Sequence, residues 1–268
     1  MATLESLPSD RPDTVSALER GIAVLRCFTE ERRVIGQTEL AKLTGIPRPT
    51  VTRLAGTLVT LGLLKLDRDG ERYALAAGVV GLARAFLAGL DVRAVARPHM
   101  QALAERFGGS VYLAVRDGLE MVLVEACRAR SSMLAARLDV GSRAPMANSA
   151  LGRAYLGAVE KTEAAMLIES LRLARGSDWG SLQPGLARSL DDMERHGYCV
   201  SVGEFHREIN SVSVPLIGAE GEVMALNCGG SAYVFTEEKL RNELAPELLT
   251  LARTISQEIG GSLTAKVA

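Results

Sequence analysis

The residues best placed to do chemistry in this 268-residue chain lie between Arg48 and Thr60. There Val51, Leu54, Ala55 and Leu58 fall at i, i+3, i+4 and i+7, the spacing of an inward helix face. Thr52, Arg53, Gly56, Thr57 and Thr60 then point outward, with Arg48 and Thr50 at the helix start. Guanidinium groups and hydroxyls in that arrangement suit phosphate oxygens and base edges in a DNA groove. The local charge agrees. From Arg32 to Lys65 the basic residues are Arg32, Arg33, Lys42, Arg48, Arg53 and Lys65, against one acid, Glu39, a net +5 within a chain of net −1. Such a patch displaces condensed counterions from DNA. A plain three-helix bundle with a solvated basic face fits the same periodicity.

Other chemistries have less support. Cys27, Cys127, Cys199 and Cys228 are scattered, with no C-x-x-C pair and no Cys/His cluster at metal spacing, so no metal site is expected. Cys228 with His196 or His206 could form a thiol nucleophile and base, the basis of an alternative reading as a small cytosolic thiol hydrolase; no third, orienting group is identifiable. Gly229-Gly230 lacks the rest of a phosphate loop, and no cofactor is expected.

The elements that must position the basic helix can be read around it. Leu18, Ile22, Leu25 and Phe28 form one apolar helical stripe. Gln37 to Thr44 reads as a short helix stopped by Gly45, and Pro49 suits the first turn of the next helix. Leu63–Leu66 and Glu71–Leu75 flank Asp67-Arg68-Asp69-Gly70, a hairpin whose tip carries Arg68 and Arg72. Residues 15–77 thus read as a helix-turn-helix with a hairpin wing, behind a polar arm over 1–14. Residues 78–96 read as a linker helix, with Val79, Leu82, Ala83, Phe86, Leu87 and Leu90 on one stripe and a break at Arg97-Pro98.

From Ser110 the pattern turns to period two. Strands are expected at 111–115, 121–124, 198–202, 209–217 and 222–228, and helices at 148–156, 162–172, 184–196 and 236–260, the last interrupted by Pro246. Residues 97–268 are therefore a mixed α+β domain with an antiparallel sheet. Trp179 falls in a Gly/Ser-rich loop, His99 on a surface or interdomain helix face, and Glu204, Arg207 and Glu208 in a solvated loop. Composition, 47% hydrophobic and 24% charged, is that of a folded globular chain. The acidic N-terminus lacks a signal peptide's apolar core, and the stretch from Ala74 to Leu90 is broken by Arg84, so no membrane contact is expected and the cytoplasm is the expected compartment.

The wording of several segments goes further. The run from Gly45 through Pro49-Thr50-Val51-Thr52-Arg53-Leu54 to Gly62 resembles the winged helix-turn-helix of the isocitrate lyase regulator (IclR) family, with Pro49 where the family usually has Ser. Arg72-Tyr73-Ala74-Leu75 is similar to the family's wing exit. Gly141 to Ala154 is similar to its G-x-x-x-P-x-H-x-T-A-x-G-K-A stretch, placing Arg153 at a family lysine position near the effector or a dimer contact. Gly197-Tyr198 and Asn210 to Leu216 match its later motifs.

The resemblance implies a bacterial transcription regulator with a winged DNA-binding domain, a linker helix and a GAF/PAS-like effector domain. It also implies homodimers, often homotetramers. A two-fold protein reads a pseudo-palindromic double-stranded operator. It implies a small carboxylate effector held by short polar side chains and backbone N–H groups. Carried over by position, those residues are Ala136, Ala144, Ala150, Leu151, Ser201, Ser211, Cys228 and Gly230. A frequent family aspartate is Ser201 here, and an S-x-S on the late strand is Cys228-Gly229-Gly230, which makes room for a bulkier, aromatic acid. A winged helix that binds protein rather than DNA is the remaining alternative.

Overall fold

The structure is a computed structural model that describes residues 15–130 and 138–261. The arm expected over 1–14 and the effector candidate Ala136 lie outside the described residues. The chain divides into two compact units, Met1–Gly89 and Leu90–Ala268.

The first unit runs α1 (Ser16–Arg26), β1 (Val34–Gly36), α2 (Gln37–Thr44), α3 (Arg48–Thr60), β2 (Leu64–Leu66), β3 (Arg72–Leu75) and α4 (Gly78–Ala88). Gly45 closes α2 in the left-handed conformation, at φ 69°. Pro49 takes the second position of α3, where its missing N–H leaves no helical bond unmade. Val24, Ile35, Leu40, Val51, Ala55, Leu64 and Tyr73 make one core. The wing has three strands, in the order β1-β3-β2, because Ile35 pairs with Tyr73 across β1 and β3.

The apolar stripe of α1 turns out to face two ways. Gly21 and Val24 are buried, whereas Leu18 is 66% and Ile22 41% exposed. The stripe of α4 is likewise uncovered, with Leu82 at 65% and Phe86 at 53% exposure and no buried residue in that helix.

The second unit opens with α5 (Val92–Phe107), so the helix break falls at Gly89–Asp91 and not at Arg97-Pro98. Pro98 lies inside α5 and removes one helical hydrogen bond without ending the helix. Then come β4 (Ser110–Asp117), β5 (Glu120–Arg128), β6 (Arg143–Pro145), α6 (Ala150–Ala158), α7 (Lys161–Arg175), α8 (Trp179–His196), β7 (Cys199–Val202), β8 (Ile209–Ile217), β9 (Val223–Ser231), α9 (Glu237–Lys239) and α10 (Ala245–Glu258). Trp179 thus opens a helix rather than sitting in a loop, and it packs against the core formed by α6 and the sheet. A π turn over Leu240–Leu244 carries the chain from α9 into α10, just ahead of Pro246.

The six strands form one antiparallel sheet in the order β6-β5-β4-β9-β8-β7. Helix α6 packs on one face against β8 and β9, and α5 and α10 pack against the sheet as well. Gly152 lets α6 approach closely: a Cβ there would stand 2.2 Å from Met146 Cα, a backbone atom that cannot swing aside. Replacing Gly152 by valine is expected to undock α6 and lower the cooperative melting temperature of the second unit, measurable by calorimetry.

Candidate nucleic-acid interface and ligand cavity

Within the first unit, the inward residues of α3 bury Val51, Ala55 and Leu58. That leaves Arg48, Thr52, Arg53, Gly56, Thr57 and Thr60 exposed on the opposite side, while Thr50 is half-buried. Thr52, Thr57 and Thr60 each donate their hydroxyl to the carbonyl four residues back, at 3.0, 3.0 and 3.1 Å. Each hydroxyl oxygen keeps acceptor capacity, and the two guanidinium groups supply donors in a planar fork.

At the wing tip Asp67 organises the turn. Its Oδ1 accepts the backbone N–H groups of Glu71 and Arg72, each at 3.2 Å, and its Oδ2 pairs with Arg72 Nε at 3.0 Å. These bonds, the Arg72 N–H foremost, hold the Asp67 carboxyl below its ordinary value. Arg72, expected as a contact, therefore has its head group engaged within the wing, while Arg68 is exposed at the tip. Sequence reasoning missed Gln37. Its Nε2 donates to Tyr73 Oη at 3.3 Å, and its Oε1 lies 3.1 Å from Thr52 Oγ1, sharing that hydroxyl's one proton with Arg48 O, which ties wing strand β3 to α3. Separations of 36 and 15 residues leave no local trace of such a link in sequence.

In the second unit a cavity opens at the start of α6. Its volume is about 40 Å³, small beside the roughly 300–1,000 Å³ of formed small-molecule sites. Ser149, Ala150 and Leu151 line it at the helix start; Ala144 comes from β6, Ser211 and Ile209 from β8, and Asn227, Gly229 and Gly230 from β9. Tyr112 and Phe205 add aromatic rings, and none of the described lining residues is charged. The first-turn N–H groups of a helix have no acceptor within it and carry partial positive charge. One of them, Gly152 N–H, is taken by Ser149 Oγ at 3.2 Å, and that hydroxyl donates in turn to Pro145 O at 2.6 Å. The end of α6 can thus receive a carboxylate from neutral donors.

The structure brings together Ala144, Ala150, Leu151, Ser211 and Gly230 of the residues expected there. It does not bring Cys228. Strand alternation sets Asn227 and Gly229 toward the cavity, and Cys228 toward the other face, across from Val111 and Val212. Ser201 also stands apart from the lining. It pairs with Ser211 across β7 and β8, one strand further out, and its buried hydroxyl has no partner among the described residues. Glu204, expected in a solvated loop, is instead engaged by Arg153 and Arg188.

The cysteines have no nucleophilic setting. Burial pushes the Cys199 and Cys228 thiols up to about 12 and Cys127 up to about 11. His196 stacks on Tyr198, with ring centroids 5.7 Å apart. A disulfide-exchange reagent at pH 8 is expected to label the folded protein at none of these three thiols and to label all three in denaturant. The same shifts have a pH consequence. Unfolded thiols ionise near 9.0 while the folded ones stay protonated, so stability falls as the pH rises from about 9 toward 12, which alkaline denaturation followed by circular dichroism would show.

Comparison with known proteins finds two family models along the chain. Residues 17–68 match the family model described as the IclR helix-turn-helix domain, and residues 84–257 match the bacterial transcriptional regulator IclR C-terminal model. The chain is 32% identical over 259 residues to the HTH-type transcriptional regulator TsaQ1/TsaQ2 of Comamonas testosteroni, covering 96% of this chain and 93% of that one. It superposes on the crystal structure of an IclR-family transcriptional regulator from Brucella abortus with a TM-score of 0.88 at 39% identity, covering 97% of this chain and 98% of that one. It shares its fold, at 23% identity and a TM-score of 0.69, with an IclR homologue from Microbacterium hydrocarbonoxydans crystallised with 4-hydroxybenzoate, over 91% of this chain and 99% of that one. The named relatives are regulators, and their matched domains are regulatory rather than enzymatic.

Proposed function

This chain belongs to the IclR family of bacterial transcriptional regulators, and from that premise we propose that it is a ligand-responsive regulator of a catabolic operon whose effector is a small aromatic carboxylic acid. The observation that carries the effector class is the lining of the small cavity at the start of α6, which must widen to admit a ring. Tyr112 and Phe205 supply ring surfaces, Leu151 and Ile209 supply apolar walls, and the charge of a carboxylate would meet the remaining first-turn N–H groups of α6 and the Ser211 hydroxyl. A two- or three-carbon acid would leave the rings unused. The Microbacterium homologue, a likeness of fold, is crystallised with an acid of this class.

On this reading DNA contact falls to Arg48, Thr50, Thr52, Arg53 and Thr57, with Arg68 at the wing and Arg72 bracing it. The protein acts in the cytoplasm as a homodimer or homotetramer on a pseudo-palindromic operator. The uncovered side chains Leu18, Leu82 and Phe86 support self-association, since large apolar groups left in water mark partner surfaces. Leu82→Asp combined with Phe86→Asp is expected to shift the protein to monomer in sedimentation velocity. An unchanged oligomer would remove that surface from the account.

The effector reading is tested by titration calorimetry and by mobility shift on upstream DNA. Expected are saturable binding of 4-hydroxybenzoate or benzoate and a changed shift in their presence, because a ligand moves the DNA-competent population only by differential affinity. Tight binding of pyruvate or glyoxylate, with no binding of aromatic acids, would contradict it.

A further inference from the structure

Beside the cavity lies a buried cation that the effector reading does not use. Arg153 on α6 is 1% exposed. Its Nε donates to Ala147 O at 3.0 Å and its Nη1 to Ser189 Oγ of α8 at 3.1 Å. Its remaining nitrogen, Nη2, pairs with Glu204 Oε2. Glu204 belongs to the loop between β7 and β8, whose next residue, Phe205, lines the cavity.

The socket is shaped for that carboxylate from a third side. A Cβ at Gly185 of α8 would come within 2.5 Å of Glu204 Oε2 and 2.7 Å of Arg153 Nη2, so a larger residue there displaces the head groups of the pair. The base of the loop is held by backbone: Gly203 N–H donates to Ile209 O at 3.3 Å, and Ala232 N–H to Glu208 O at 2.8 Å. Its tip is attached through Glu204. Besides the ion pair, Glu204 O accepts from Asn148 Nδ2 at 3.3 Å, and Oε1 takes the exposed Arg188 at 3.4 Å. His206, Arg207 and Glu208 are exposed.

We propose that residues 203–208 are a lid over the effector cavity and that Arg153, acting through Glu204, is the positioning residue that holds Phe205 in its wall. With the lid raised, the guanidinium would stand buried without its counter-charge, which disfavours the open state. Effector entry and exit then depend on breaking a contact that the effector does not touch. This rests on the reading of the cavity as the effector site, and extends it to the gate of that site.

The test is hydrogen–deuterium exchange on the full-length, ligand-free protein, read by mass spectrometry at 203–208. Glu204→Gln keeps the volume and removes the charge. It is expected to speed exchange at 203–208 at least tenfold and leave β8, β9 and α6 unchanged, a local effect that loss of packing would not give. Gly185→Ala is expected to do the same by wedging the pair apart. Arg188→Ala is expected to change exchange there by less than twofold. With 4-hydroxybenzoate as probe, dissociation from Glu204→Gln is expected to be at least tenfold faster than from wild type. Exchange at 203–208 within twofold of wild type in both folded Glu204→Gln and Gly185→Ala overturns the lid. Failure of 4-hydroxybenzoate to bind wild type overturns the effector class, and the exchange measurement still decides the lid.

Discussion

Replacing Arg53 with alanine is expected to abolish specific DNA binding while leaving the fold intact. Arg53 lies in the middle of the exposed face of α3, flanked by Thr52, Gly56 and Thr57, opposite the buried Val51, Ala55 and Leu58. A guanidinium in the major groove can take both acceptors of a guanine edge, and a good bidentate contact is worth about 1–3 kcal/mol per site. In a dimer the loss is counted twice, so affinity for the operator drops by about one to four orders of magnitude. Binding to random DNA falls far less, because phosphate contacts from the other basic residues persist. Calorimetric melting of the variant checks the intact fold; fluorescence anisotropy with operator and scrambled duplexes checks the loss. Equal losses on both duplexes would assign Arg53 to the phosphate backbone instead.

The second large effect is on stability. Arg153→Ala removes an ion pair and two hydrogen bonds from a site that is 1% exposed, and leaves a void. Glu204 keeps Arg188 and is 29% exposed, so the cost is that of the void and the lost hydrogen bonds, about 2–5 kcal/mol. For a unit of this size that is about 4–20 °C in melting temperature. The order of variants is informative. Arg153→Met fills the volume with apolar atoms and is expected to cost less, because burying the cation itself was expensive. Arg188→Ala is expected to be nearly silent, since its side chain is 70% exposed and surface pairs contribute little. If Arg153→Met melts like wild type while Arg153→Ala does not, the Arg153–Glu204 pair contributes nothing beyond packing.

How much of this was legible in sequence depends on whether an element's pattern is local. Helix α3 was, because Val51, Ala55 and Leu58 repeat at helical spacing and leave the basic residues on the other side. Strands β1 and β6, each of three residues, were too short to show alternation. Pro98 suggested a helix break, yet the packing of Ala96 and Met100 around it carries α5 through. The stripes of α1 and α4 were visible as patterns, but the pattern does not say whether the apolar side meets the chain's own core or a partner.

In the effector unit the start of α6 was legible, while single strand positions were not. A one-residue difference in register separates Asn227, which lines the cavity, from Cys228, which faces away from it. Tyr112 and Phe205 carried no sequence signal, since each becomes a wall only when β4 and the 203–208 loop converge. The burial of Arg153 was hidden for a similar reason: its partners Ser189 and Glu204 are distant in the chain.

The central claim is that the exposed face of α3 reads DNA and does so partly through charge. The most direct measurement is an anisotropy titration of wild type with the DNA upstream of its own and neighbouring genes, repeated from 50 to 200 mM salt. The account predicts a specific complex with at least one fragment, lost in Arg53→Ala. It also predicts a wild-type affinity that falls by about three to five orders of magnitude across that range if six to ten phosphates are contacted. A folded wild-type protein that prefers no fragment over scrambled duplex at any salt would contradict it and return the basic face of α3 to a protein-binding role.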